Sequence, residues 1–362
     1  MELSQIRKQF PVFKRGIYAN TAATGPMFED LYDWRQDKDL DLFLKASSYY
    51  NSSVKIVEET RMSLKRFFNC EDKDVALIPN FSWGINSLLS ALNTKQHILC
   101  LEDDYPSLIW PLQGSEHRLT AMPITATIEE DIINTVKQKE ITLLAVSITQ
   151  WLSGLLLQPS FFAGLKAIYP ELIIVVDATQ YCGMFPLDFK ASKIDVVIAS
   201  GYKWMLGGYG NGFMLFSDAV KLQLNPTMVG FGSVSGDSSK KNKIPFYKHF
   251  EPGHLDALSF GSLGQGIQLM EELGVSAIYE QNSKLSAYAK ETFTALGALD
   301  ELVAERRTHS TIFRLKGGET LFNALAGHDI AVALREGYVR VSFHFYNTRT
   351  DVDAIAGVIS KS

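Results

Sequence analysis

Two apolar runs stand close together in the chain, LIIVVDA (172–178) and DVVIASG (195–201), and each ends on a polar group. The first closes on Asp177. The second closes on Ser200, and Lys203 follows between Tyr202 and Trp204, ahead of a glycine-rich bend. An amine at the tip of a buried strand is partly desolvated, which lowers its pKa and lets it form a Schiff base. A carboxylate nearby can keep a pyridine nitrogen protonated, and the ring then acts as an electron sink. Lysine Schiff base plus ring-nitrogen carboxylate is the chemistry of pyridoxal phosphate. The plainer readings are a solvated lysine and an aspartate that caps the next helix.

A phosphate needs its own cradle. The segment N80-F-S-W-G-I-N86 falls where a strand passes into a helix, and helix N-termini present free N–H groups and a positive dipole end. Ser82 adds a hydroxyl; ordinary capping by Asn80 or Ser82 explains the same residues. A nucleotide P-loop pattern is missing, and GGYGNG (207–212) does not fit the dinucleotide fingerprint. The seven histidines show no metal-ligand spacing, so no metal site is inferred.

The elements that must hold these groups follow from periodicity. DVALIPN (74–80), QHILCLEDD (96–104), TLLAVSIT (142–149), LIIVVDA, DVVIASG and NGFMLFS (211–217) read as strands. Helical patterns lie at 54–68, 82–92, 128–139 and 160–169. Continuous apolar strands alternating with helices predict a three-layer α/β/α unit around a mostly parallel sheet. Ligands of such sheets sit at the C-terminal ends of the strands, where Asp177, Ser200, Lys203, Ser82 and Tyr105 all fall. From about residue 225 a Gly-, Ser- and Lys-rich stretch reads as a long loop or lid. Helices and the short strands STIFRL, DIAVAL and YVRVSFHF then predict a smaller C-terminal α+β unit.

The chain has 362 residues, 46% of them hydrophobic, with 35 Lys+Arg against 40 Asp+Glu. That charge balance argues against a nucleic-acid-binding face, and no apolar run is long enough for a membrane span. The N-terminus lacks a signal-peptide core, and Cys70, Cys100 and Cys182 read as free thiols, which places the expected setting in the cytoplasm.

D177-A-T-Q180, S200-G-Y-K203 and G210-N-G212 resemble the core of the fold-type-I pyridoxal-phosphate enzymes, in the class V aminotransferase and cysteine desulfurase branch. The resemblance extends to Y18-A-N-T-A-A-T-G-P26, N80-F-S-W-G-I-N86, D104-Y-P-S107, S153-G154, F250-E-P-G-H254 and R340-V-S-F-H-F-Y-N-T348. It implies a seven-stranded sheet, a large cofactor domain over 16–255, and a small domain from 1–15 and 256–362. It implies that Lys203 carries pyridoxal 5'-phosphate and Asp177 pairs with the ring nitrogen. Gln180 would donate to the ring's phenolic oxygen and Tyr105 would stack on the ring. Phe81 amide, Ser82, Ser200 and Tyr202 would hold the phosphate, Tyr202 standing where desulfurases have a histidine. His254 would reach the phosphate of a partner subunit in a homodimer. Arg340 would take the substrate α-carboxylate, with Arg335 as a second basic group. Trp151 stands near where relatives have an asparagine and suggests an apolar substrate pocket.

The activity this implies is a class V aminotransferase acting on a small amino acid. Alternatives of the same family are a β-lyase or epimerase, a phosphoserine aminotransferase-type enzyme, or a silent cofactor-binding homologue. About 17 residues precede Tyr18, too few for the DNA-binding module of regulators with this fold. A cysteine desulfurase is not expected. In relatives the thiol-bearing loop lies between an R-x-G and an R-x-S landmark, and here only Tyr338 and Val339 separate Arg335-Glu336-Gly337 from Arg340-Val341-Ser342.

Overall fold

The computed structural model describes residues 3–361. Its centre is a seven-stranded sheet of β1 (Val75–Ile78), β2 (His97–Leu101), β3 (Arg118–Met122), β4 (Leu143–Ser147), β5 (Ile173–Asp177), β6 (Val196–Ser200) and β7 (Gly212–Phe216). Their spatial order is β1-β7-β6-β5-β4-β2-β3. Only β7 runs antiparallel to its neighbours, β1 and β6. The mostly parallel sheet of the sequence reading is therefore present. Its seventh strand, β3, was not legible, because RLTAM is a half-exposed edge without an apolar run.

Side chains alternate across the sheet, as a pleated strand requires. Leu77, Leu99, Leu144, Val146, Ile174, Val176 and Val197 face one core. Ala76, Ile78, Ile98, Cys100, Ala145, Val175 and Ile198 face the other. The first face is covered by α2 (Tyr50–Phe68), α5 (Ile128–Lys139), α6 (Pro159–Ile168) and α7 (Ala257–Leu273). The second is covered by α3 (Phe81–Ala91) and α4 (Pro106–Gly114). Helix α3 buries Phe81, Ile85, Leu88 and Ala91, a stripe at helical spacing. Gly84 lets it lie close: a Cβ there would come within 2.6 Å of Ile78 and 2.7 Å of Ile198. A further helix, α1 (Glu29–Lys45), precedes α2; its charged sequence buries only Leu31, so periodicity did not reveal it.

A smaller antiparallel sheet, in the order β9-β10-β8, is built from β8 (Ile312–Leu315), β9 (Ala333–Arg335) and β10 (Tyr338–Ser342). Helices α8 (Val275–Ala295), α9 (Gly318–Ala326) and α10 (Arg349–Ile359) share its core. The expected strand DIAVAL is split. Ile330–Ala331 pairs with Ile17–Tyr18, while Ala333–Arg335 joins β10. The stretch after 225 folds as three short 3₁₀ turns that bury Ser233, Val234 and Phe250. It is pinned by Glu251, whose two oxygens each lie 2.8 Å from a nitrogen of the buried Arg61 guanidinium. It is thus an ordered loop.

Candidate active site

The C-terminal ends of β5 and β6 bring Asp177 and Lys203 together, each only 5% exposed. Burial is the main force on both. It lowers the Lys203 pKa, helped by the Arg340 charge and opposed by Asp177. It raises the Asp177 pKa, against a hydrogen bond from the Thr179 N–H to Oδ1 at 2.8 Å. The pair is thus pushed toward neutrality. No ion pair of Lys203 occurs among the described residues. Its Nζ lies 5.3 Å from the Tyr105 ring centroid and 5.5 Å from that of Tyr202. The turn after Lys203 carries a non-glycine strain, Leu206 at φ 56°, in the left-handed region. The N-terminal segment crosses this turn. Gly25 N–H donates to the Tyr202 carbonyl at 2.9 Å, and a Cβ on Gly25 would sit 2.0 Å from the Lys203 carbonyl oxygen.

At the α3 N-terminus, where a phosphate cradle is expected, the polar groups are bonded to one another. Asn80 caps the helix, its Oδ1 accepting from Trp83 N–H at 3.0 Å. The Phe81 amide is engaged, donating to Ser200 Oγ at 2.8 Å, and Ser200 N–H donates to Thr179 Oγ1 at 3.1 Å. Ser82 is exposed and faces outward beside Trp83 and Met228. Gln180 is tied at both ends: Nε2 donates to the Ala22 carbonyl at 3.0 Å, and Oε1 accepts from Trp204 Nε1 at 2.6 Å. One amide hydrogen remains for a ligand. His254 is exposed and meets Tyr50, ring centroids 6.1 Å apart. Arg335 is also exposed.

Arg340, on the middle strand of the small sheet, is 3% exposed. Among the described residues it has no acidic partner. Nη1 donates to the Trp151 carbonyl at 2.9 Å, and Nε is a buried donor with no hydrogen bond. Burial, joined by the Arg335 charge, lowers its pKa to about 10. A buried guanidinium with a spare N–H is poised for an anion. Trp151 stands between Arg340, 6.0 Å from its ring, and Tyr105, 5.7 Å away edge-on.

Several residues of the site were not singled out from the sequence. Tyr209 stacks on Tyr202 at 4.9 Å, and its hydroxyl meets Thr24 Oγ1 at 2.6 Å. Tyr18 donates to the Thr24 carbonyl at 2.5 Å. Asp104 is buried at the end of the β2 loop and binds Ser147 of β4. The YANTAATGP, DYPS and GGYGNG stretches are the sequence signals that hold these residues.

The donor set fits pyridoxal 5'-phosphate: a buried amine without an acid partner, a buried carboxylate one strand over, a helix N-terminus, and a buried arginine with a free N–H. A fold of this kind with such a lysine defines the fold-type-I class of pyridoxal-phosphate enzymes. Residues 18–355 match the aminotransferase class-V family, and the chain belongs to it. The cofactor of that family is pyridoxal phosphate. A probable cysteine desulfurase of Methanothermobacter thermautotrophicus is 22% identical over 394 residues, covering 100% of this chain and 98% of the relative. The uncharacterized aminotransferase YcbU of Bacillus subtilis is also 22% identical, covering 96% and 95%. In three dimensions the chain is similar to the C-DES protein with glycine covalently linked to its cofactor, at a TM-score of 0.88 and 17% identity over 98% of each chain.

Proposed function

We propose that this chain is a pyridoxal-phosphate enzyme that removes the α-proton of a small amino acid and transfers its amino group. The observation that carries the reading is the convergence of Lys203, Asp177 and Arg340: a desolvated amine, a buried acid and an arginine with an uncommitted donor. The bound ring supplies an electron sink for charge that develops at Cα. Lys203 Nζ would hold the cofactor and, as a free amine, would take the Cα proton; its lowered pKa keeps a neutral amine available near pH 7. Asp177 would accept from the ring N–H. Arg340 fixes the α-carboxylate, which sets the Cα–H bond toward Lys203. Tyr105 would face the ring, Ser200 and the α3 N-terminus would take the phosphate, and Trp151 would wall the substrate side chain. Two copies pair, with Phe43, Leu44 and Tyr50 as exposed apolar surface that such a contact would cover; Phe43 is 82% exposed.

Two observations speak against sulfur relay through an enzyme thiol. Arg335 pairs directly with Tyr338, so Glu336 and Gly337 form a two-residue turn, both at positive φ, where a thiol-bearing loop would be needed. All three cysteines are buried, and burial pushes the thiols of Cys70 and Cys100 up to about 12. A second reading is β-elimination with release of the leaving group into solution. It is favoured by overlap with the cystine C–S lyase C-DES, at a TM-score of 0.86.

Borohydride reduction and peptide mapping should place the pyridoxyl group on Lys203. A label on another lysine, or none, would sink the proposal. An amino-acid screen then separates the outcomes: keto acid with pyridoxamine phosphate for transfer, and pyruvate with ammonia for elimination.

A further inference from the structure

Asp104 is a carboxylate that is 5% exposed and has no cation partner among the described residues. Its bonds all come from neutral groups. Oδ2 accepts from Ser147 N–H at 2.8 Å, and Oδ1 accepts from Ser147 Oγ at 2.5 Å and from Tyr105 N–H at 2.7 Å. A buried charge is costly, and a neutral side chain could tie two loops together without that cost. Ser147 is the cross-strand neighbour of Asp177. The carboxylate of Asp104, the hydroxyl of Ser147 and the carboxylate of Asp177 therefore follow one another across the tips of β2, β4 and β5. The adjoining backbone is joined to the same row, because the Asp103 carbonyl accepts from Gln150 Nε2 at 2.9 Å and from Trp151 Nε1 at 3.3 Å.

We propose that Asp104 is a positioning residue: it fixes the Tyr105 ring and the β4 tip against the cofactor, and its carboxylate tunes the cofactor–Lys203 linkage. This rests on the assignment of Lys203 and Asp177 made above. The sign follows from the neighbours. Burial raises the Asp104 pKa, the hydrogen bonds from Ser147 and Tyr105 oppose that, and the ionised carboxylate acts on Asp177 as a like charge. Lys203 is the cation at the Asp177 end of the row, itself acted on by Arg340 and Arg335; Tyr202 is the phenol that feels Asp177, and the thiols of Cys100 and Cys182 feel Asp104 and Asp177. A negative charge favours the protonated form of a nearby linkage, so its loss lowers the linkage pKa.

The test is a spectrophotometric pH titration of the holoenzyme. Asp104→Asn should lower the pKa of the bound chromophore by about one unit, the scale of one charge acting across several ångströms of protein. It should also cut kcat/KM tenfold or more. An Asp104→Asn enzyme with wild-type chromophore pKa and kcat/KM overturns the proposal. If that variant does not fold with cofactor, Ser147→Ala decides. It removes a donor that favours the Asp104 charge, so the chromophore pKa should fall, as in Asp104→Asn, and kcat should fall; wild-type values for both overturn the proposal. A wild-type protein without a titrating chromophore would instead count against Lys203 as the cofactor residue.

Discussion

Replacing Arg340 by methionine should make the protein more stable and a far poorer catalyst. The guanidinium is buried without an acid, and its pKa of about 10 lies below the ordinary 12.5. With the folded-state value the lower one, the charged form is disfavoured in the fold at every pH below about 10. A gap of that size corresponds to roughly 3 kcal/mol at neutral pH, relieved when the charge is removed. Methionine retains much of the apolar stem. Against this stands the Trp151 carbonyl, which loses its 2.9 Å donor at a cost of about 1–2 kcal/mol. The net expectation for the apoprotein is a gain of about 1–2 kcal/mol, read as a higher urea midpoint with unchanged slope. In the holoenzyme the same change leaves a substrate carboxylate unpaired, and kcat/KM should fall by about 30-fold to 1,000-fold, or about 2–4 kcal/mol. A destabilised apoprotein with ordinary kinetics would show that Arg340 is a structural residue and that the carboxylate is held elsewhere.

Capture of pyridoxal phosphate by the apoprotein should speed up as pH rises through the depressed Lys203 pKa, because only the free amine reacts; stopped-flow absorbance checks this. Arg340 lowers that pKa, so in Arg340→Gln the profile should move to higher pH, and an unmoved profile would break the electrostatic argument. Glu251→Gln removes the carboxylate shared by Arg61, Lys248 and the Leu77 N–H and should cost about 3 kcal/mol in chemical denaturation; an unchanged urea midpoint would contradict this. With L-cysteine the enzyme should accumulate no protein-bound persulfide by mass spectrometry. Turnover that disappears in Cys182→Ser would contradict this.

The sequence by itself determined the layer architecture and the Lys203–Asp177 pair. Short apolar runs rich in β-branched residues, such as IIVVD and VVIAS between helical patterns, read as doubly buried strands, and a strand that ends on a polar residue puts that residue at the sheet rim. Signals of this kind are local, and they fade where burial is partial. Hence β3, half-exposed at the edge, and α1, with one buried residue, left no pattern to read. Polar partners are set by long-range contacts, and these only the tertiary structure decided. Gln180 is held by Ala22 and Trp204, and the Phe81 amide is taken by Ser200. Asp104 meets Ser147 because the spatial order places β2 beside β4, although β3 lies between them in the chain. Arg340 faces the Trp151 carbonyl across 189 residues of sequence. A side chain's type limits which hydrogen bonds it can form, but strand order and the crossing of the N-terminal segment over the Lys203 turn select which of them it makes.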